Sequence, residues 1–91
     1  MALLDDNEIQ QRLERSEWRR ERDAIARDFE FKDFAEAMQF VNAVAGIAEE
    51  RNHHPDILVH GWNKVRLTVT NHSEGGLTEA DFGLAHVIDA L

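Results

Sequence analysis

The side chains best suited to proton chemistry in this sequence are histidines. Of the five, His53, His54, His60 and His72 lie close together in the chain and His86 stands apart. An unperturbed imidazole titrates near pH 6.5, so it can donate or accept a proton at neutral pH. His53-His54-Pro55 falls where a helical pattern must stop, and His72 follows a strand ending at Thr70. If those elements pack side by side, three imidazoles converge at one end of a sheet. Glu49 precedes His53 by one helical turn, which makes an i,i+4 contact natural and would orient the ring. A structural role competes with each assignment. Histidines near a helix C-terminus interact favourably with the macrodipole and the free carbonyls, so His53 and His54 also read as caps. His72, in Asn71-His72-Ser73-Glu74, also reads as a solvated loop residue. His86 is expected to be structural, and Asp81 reads as a cap residue rather than a site residue.

Other chemistries find less support. There is no HExxH, and adjacent helical residues such as His53 and His54 would diverge by about 100°. Zinc needs three or four convergent ligands, so no metal is expected. Cysteine is absent, Ser16 and Ser73 are the only serines, and Gly75-Gly76 does not make a phosphate loop. What remains is acid–base chemistry by histidine on a neutral or weakly anionic substrate.

The elements that must position these groups follow from periodicity. A short first helix is expected over 5–14, capped by Asp5 or Asp6, with Ile9 and Leu13 as an i,i+4 pair. A short strand over 15–21 carries Trp18. From Ala24 to Phe31 the alternation of Ile25, Phe29 and Phe31 with Asp28 and Glu30 predicts a half-buried strand, and Arg27 on its apolar face suggests an edge position. Asp33 and Glu36 form a capping-box-like pair opening a helix to about Arg51. Its apolar stripe is Phe34, Ala37, Met38, Val41, Val44, Ala45 and Ala48, widened by Phe40 and Ile47. Pro55 ends the helical pattern. Ile57–Val59 and Lys64–Thr70 read as two strands around a turn containing Gly61, the second alternating strictly through Val65, Leu67 and Val69. Thr78 caps a last helix running to Leu91, with Leu84, Val87, Ile88 and Leu91 as its main stripe and Phe82 and Ala85 alongside. The order α-β-β-α-β-β-α predicts an α+β fold with helices on one face of an antiparallel sheet. The width of the apolar helix faces suggests burial against another subunit as well as the sheet.

Composition bounds the rest. At 91 residues the chain is one domain, residues 1–91, and 43% hydrophobic residues suit a small globule. A domain this small has a marginal core, and with no cysteine the usual remaining support is oligomerisation. The net charge of −8 argues against general nucleic-acid binding. Arginines 12, 15, 19, 20 and 22 interleave with Glu14, Glu17 and Glu21, as on a solvated, ion-paired face. The first residues lack a basic n-region and a long apolar stretch, and no apolar run approaches the roughly 20 residues of a membrane span. A cytoplasmic protein is expected.

The stretch Glu49-Glu50-Arg51-Asn52-His53-His54-Pro55-Asp56 resembles the signature of the pterin-4a-carbinolamine dehydratases. In that family an aromatic follows the His-His-Pro, here Trp62 in Trp62-Asn63-Lys64-Val65. A histidine then follows a strand, here Thr70-Asn71-His72, and a Gly-Leu-Thr-x-x-Asp comes next, here Gly76-Leu77-Thr78-Glu79-Ala80-Asp81. The ordered set, spanning about residues 49–81, is specific where any one piece is weak. The resemblance implies a four-stranded antiparallel sheet with three helices, assembled as a homodimer or homotetramer through strand edges and helices. It implies dehydration of 4a-hydroxytetrahydropterin, the product left by aromatic amino-acid hydroxylases, to quinonoid dihydropterin, with no metal or organic cofactor. His53, His54 and His72 would be catalytic, and Glu49 would orient His53. Trp62 and Trp18 would pack near the pterin, with Pro55, Asn71, Ser73 and Glu74 lining the pocket. Two departures bear on substrate contacts. The segment from Pro55 to Trp62 is one residue longer than in animal members, with Trp in place of Tyr, and residue 71 is Asn where many members carry Thr. Other proteins of this fold act by binding, as a dimerisation cofactor for a transcription factor or as assembly factors. Those roles form the alternative reading.

Overall fold

Seven elements follow one another in the expected order in the computed structural model, which describes residues 2–91. They are helix α1 (Asp6–Leu13), strands β1 (Arg19–Glu21) and β2 (Ala24–Glu30), helix α2 (Phe34–Arg51), strands β3 (Asp56–His60) and β4 (Lys64–Val69), and helix α3 (Glu79–Asp89). The strands form one antiparallel sheet in the order β1-β2-β4-β3. This is an α+β fold.

Register explains which side is buried. Ile25 pairs with Val69, Phe29 with Val65 and Ile57 with Leu67, so the alternating apolar residues of β2, β4 and β3 share one face. Ile9 of α1, Ala37 and Val44 of α2, and Leu84 and Ile88 of α3 pack onto Ile25, Val65, Leu67 and Val69 there. Local signals start each helix. The Asp5 side chain accepts from Glu8 N–H at 2.8 Å, and Asp33 accepts from Glu36 N–H at 2.9 Å, each satisfying an otherwise free donor of the first turn.

Several expectations are corrected. β1 is three residues long, and Trp18 precedes it as a core residue whose indole N–H donates to Asp89 at 2.8 Å. β2 is not an edge strand, because it lies between β1 and β4. However, β1 pairs only with Ala24–Ala26, so Arg27 sits where that side of β2 is free and reaches Asp89 at 2.7 Å. On α2, Phe34 and Ala45 lie outside the buried stripe, which runs through Ala37, Phe40, Val41, Val44, Ile47 and Ala48. α3 ends at Asp89, leaving Leu91 exposed. Among the interleaved arginines the partners are mostly distant: Arg12 pairs with Glu79, Arg20 with Asp6, and Arg19 with both Glu21 and Asp28.

The other sheet face is polar. Asp28 and Arg66 stand opposite each other on β2 and β4, with Arg66 Nε donating to Asp28 at 2.8 Å and Arg19 to the other carboxylate oxygen at 3.0 Å. The hydrogen bond from Arg66 leads the effects that hold the Asp28 carboxyl below its ordinary range. A depressed folded-state pKa adds stability above the unfolded value, and that stability is lost as pH falls through the folded one. Asp28→Asn is therefore expected to lower the melting temperature modestly at pH 7, and the gap to wild type should close in acid. The pair is exposed, which keeps the effect small. Thermal unfolding of both proteins at pH 7 and pH 2.5 checks this. A gap that persists in acid contradicts it.

Candidate active site

The end of α2 sets the first histidine. Asn52 takes the left-handed conformation at φ 50°, and the His53 N–H returns to the Ala48 carbonyl at 3.1 Å, as in a Schellman-type stop. Asparagine is among the few side chains that tolerate this region. The turn takes His53 off the helix, and Pro55 then holds its predecessor extended. The chain enters β3, whose Asp56 pairs with Thr68. Because β3 and β4 are antiparallel, the start of β3 and the end of β4 lie at the same end of the sheet, which brings the His53–Pro55 and Asn71–Glu74 segments to that end.

His53 Nε2 lies 2.6 Å from the Asp81 carboxylate, and the Asp81 side chain is wholly buried. The other Asp81 oxygen accepts the Thr78 N–H at 2.7 Å and lies 3.2 Å from the Thr78 hydroxyl. Asn71 Nδ2 donates to that hydroxyl at 3.3 Å, and Ser73 Oγ donates to Asn71 Oδ1 at 2.8 Å. One hydrogen-bonded line thus joins His53, at the end of α2, through the first turn of α3 to the loop that carries His72. That loop is itself ordered. Glu74 N–H and Gly75 N–H return to the Asn71 carbonyl at 3.1 and 2.9 Å, Gly75 adopts φ 75°, and a bridge between Asn71 and Gly76 closes the turn.

A carboxylate in its ionised form only accepts, so facing one at this contact the His53 ring would carry its proton on Nε2 and leave Nδ1 as its acceptor nitrogen. The side chain of His53 is 15% exposed, enough to meet a ligand. His54 and His72 are exposed, with His72 on the rim of a cleft of about 300 Å³ that Asn71 and Thr70 also line.

Glu49 does not orient His53. The helix stops at Arg51, so the i,i+4 geometry no longer applies, and Glu49 instead contacts His54 Nε2 on the exposed surface. Asp81 takes the expected place of Glu49, and its cap function and its contact with His53 coexist, one oxygen for each. The three-residue spacing from Thr78 signalled the cap; nothing local signalled the histidine. Pro55 stands at the head of β3, and Ser73 and half-buried Glu74 belong to the His72 loop. The tryptophans are not brought to the histidines within one chain. Trp18 is in the core, while Trp62, at φ 60° and 61% exposed, tips the β3–β4 hairpin at the opposite end of the sheet. Among the described residues no three His, Asp or Glu side chains are grouped to hold a metal, and no helix is long and apolar enough to cross a membrane.

Fold and site together define a small α+β domain with imidazoles gathered at one sheet end and one of them held by a buried carboxylate. A family model described as pterin 4 alpha carbinolamine dehydratase matches residues 2–91. The chain therefore belongs to the pterin-4a-carbinolamine dehydratase family. A Thermomicrobium roseum protein provisionally named as such a dehydratase is 48% identical over 100% of this chain and 98% of its own. A Sulfolobus acidocaldarius protein with the same provisional name is 45% identical over 97% of each. Among solved structures, a transcriptional coactivator/pterin dehydratase from Brucella melitensis superposes with a TM-score of 0.91 at 35% identity, covering 98% of this chain and 97% of that one. A pterin dehydratase-like protein described as a RuBisCO assembly factor in the alpha-carboxysome gives 0.70 at 28% identity, covering 84% and 89%.

Proposed function

We propose that this protein dehydrates 4a-hydroxytetrahydropterin to quinonoid dihydropterin and water, with His53, His54 and His72 as its catalytic residues. The observation that carries the reading is the line from His53 through Asp81, Thr78 and Asn71, because it links His53 to the loop that carries His72, far away in sequence. The reaction needs a proton delivered to the 4a-hydroxyl, which leaves as water, and a proton removed from N5 as the C4a–N5 double bond forms. His53, protonated on Nε2 by its contact with Asp81, offers Nδ1 as the base for N5–H, and the buried carboxylate then stabilises the imidazolium. His54 or His72, both open to solvent, gives the proton to the hydroxyl, and the proton that His53 takes from N5 returns through solvent to the ring that gave one, so water is the only by-product. A positioned acid or base contributes roughly 10²–10⁴-fold. The test is the loss of enzymatically generated 4a-hydroxytetrahydropterin, followed by ultraviolet absorbance. Faster loss with the protein supports the reading, and an unchanged spontaneous rate from folded protein refutes it.

Assembly into a homodimer or homotetramer belongs to the same reading. β3 is an edge strand whose Leu58 is 52% exposed beside the partly exposed Ile57, and an apolar open edge is a template for strand pairing. Leu58→Lys is expected to shift the protein toward monomer in size-exclusion chromatography with light scattering, and a wild-type monomer at micromolar concentration contradicts this. The names of the two structural relatives motivate a binding role as an alternative, which the activity assay separates from catalysis.

A further inference from the structure

The turn joining β1 to β2 places a second set of charged groups beside His72. Glu21 pairs with Ala24, so Arg22 and Asp23 alone make the loop. A positive φ at the first central residue of such a loop favours glycine, yet Arg22 stands there at φ 58°. The turn is tied down, since Arg20 Nε donates to the Arg22 carbonyl at 2.8 Å and the Thr70 hydroxyl donates to the Asp23 carbonyl. Arg12, Arg19, Arg20, Arg27 and Arg66 are all ion-paired. Among the described residues the Arg22 guanidinium has no carboxylate partner and the Asp23 carboxylate has no cation. Continued past Ile25↔Val69, the β2–β4 register sets Asp23 across from Asn71 and Arg22 across from His72. Arg22, Asp23, Asn71 and His72 line the same cleft of about 300 Å³, the lower end of the about 300–1,000 Å³ typical of small-molecule sites.

A lone arginine in a cleft selects an anion. An unpaired cation and an unpaired carboxylate side by side suit a neutral ligand edge that carries both acceptors and donors. The pyrimidinone edge of a pterin has this pattern, with an oxygen on C4, a hydrogen on N3 and an amino group on C2. A carboxylate can accept from N3–H and the 2-amino group together, and a guanidinium can donate to the oxygen. C4 is bonded directly to C4a, the reacting carbon, so this edge extends away from the catalytic imidazoles. The cleft begins at His72 and extends to the turn.

Resting on the dehydratase reading, we propose that Asp23 and Arg22 recognise the 2-amino-4-oxo edge of the pterin, Asp23 accepting from N3–H and the 2-amino group and Arg22 donating to the C4 oxygen. A backbone conformation that glycine adopts more readily is then kept for the guanidinium it presents.

Calorimetric binding of 6-methyl-7,8-dihydropterin and 6-methyl-7,8-dihydrolumazine, in which an oxygen replaces the 2-amino group, tests the assignment. Wild type is expected to prefer the pterin by about tenfold or more, the scale of one bidentate pair. Asp23→Asn, whose amide can turn either way, should bring the two affinities to within about threefold. Arg22→Gly suits the backbone, so it should weaken both ligands without lowering the melting temperature. In the dehydration assay Asp23→Asn should raise KM and leave kcat unchanged. Asp23→Asn that keeps the pterin preference, or lowers kcat at constant KM, overturns the proposal. Wild type that prefers the pterin but does not speed dehydration overturns the catalytic reading alone. Wild type that speeds dehydration without preferring the pterin overturns this site alone, and wild type that binds neither ligand and does not speed dehydration overturns both.

Discussion

Asp81→Asn is expected to lower kcat for dehydration by about 10²–10⁴-fold while the protein stays folded, the contribution of a positioned acid or base. About 10⁴-fold is the loss known when a carboxylate that sets a histidine tautomer is replaced by its amide. One Asp81 oxygen accepts the Thr78 N–H at 2.7 Å, and in the variant the amide oxygen must keep that bond or leave a buried donor unsatisfied. The amide nitrogen then faces His53 Nε2. Two N–H groups cannot share that contact, so Nε2 becomes the acceptor and the ring proton moves to Nδ1, the nitrogen needed as a base. The stabilisation of the imidazolium is lost with the charge. Glu49→Gln is the contrasting variant. Its partner His54 is exposed and the contact lies at the surface, where ion pairs contribute about 0–1 kcal/mol. Its kcat should stay within about fivefold of wild type on that scale. Steady-state kinetics of the two variants beside wild type, with thermal unfolding as the folding control, decides the matter. No loss from Asp81→Asn would remove Asp81 from the mechanism, and an equal loss from Glu49→Gln would place Glu49 in it as well.

His53→Ala and His72→Ala are each expected to reduce kcat by about 10²–10⁴-fold, the contribution of a positioned acid or base. Both act in one elimination, in which the hydroxyl leaves as N5 loses its proton. Groups that work as a unit give non-additive losses, so the double variant should fall little below the weaker single one. Neither ring belongs to the apolar core, so both variants should fold. His72→Ala frees an exposed loop position, whereas His53→Ala leaves the buried Asp81 carboxylate with only its bonds to Thr78. His53→Ala should therefore be the less stable of the two, because a buried charge is left partly unpaired. A multiplicative loss in the double variant would mean that the two histidines serve separate steps.

The elements were legible where short-range physics decides them. Strict alternation through Val65, Leu67 and Val69 gave β4, and the Asp33 cap with its helical stripe gave α2. The order of all seven elements followed. What the sequence left open was settled by contacts between distant residues. Trp18 reads as a strand residue until its indole N–H is seen to reach Asp89 at the far end of the chain. Arg27 suggested an edge because the short reach of β1 along β2 leaves no trace in the pattern. At the site, His53, His54 and His72 stood out by type and spacing. The partner of His53 did not, because the i,i+4 rule assumes a continuing helix and Asn52 ends it in the left-handed conformation. Asp81 was visible as a cap, and only the packing of α3 beside the end of α2 gives its second oxygen to His53. Trp62 matched by order along the chain, which says nothing about which end of a hairpin a residue occupies.

The most direct test of the central claim compares wild type with the His53→Ala/His72→Ala protein in one assay. 4a-Hydroxytetrahydropterin is generated in situ by a phenylalanine hydroxylase, and its disappearance is followed by ultraviolet absorbance against a protein-free control. The account predicts that wild type accelerates the loss and that the folded double variant returns it to within about tenfold of the spontaneous rate, as expected when the acid–base contribution is gone. Wild-type protein that leaves the spontaneous rate unchanged, or a double variant as fast as wild type, would contradict it.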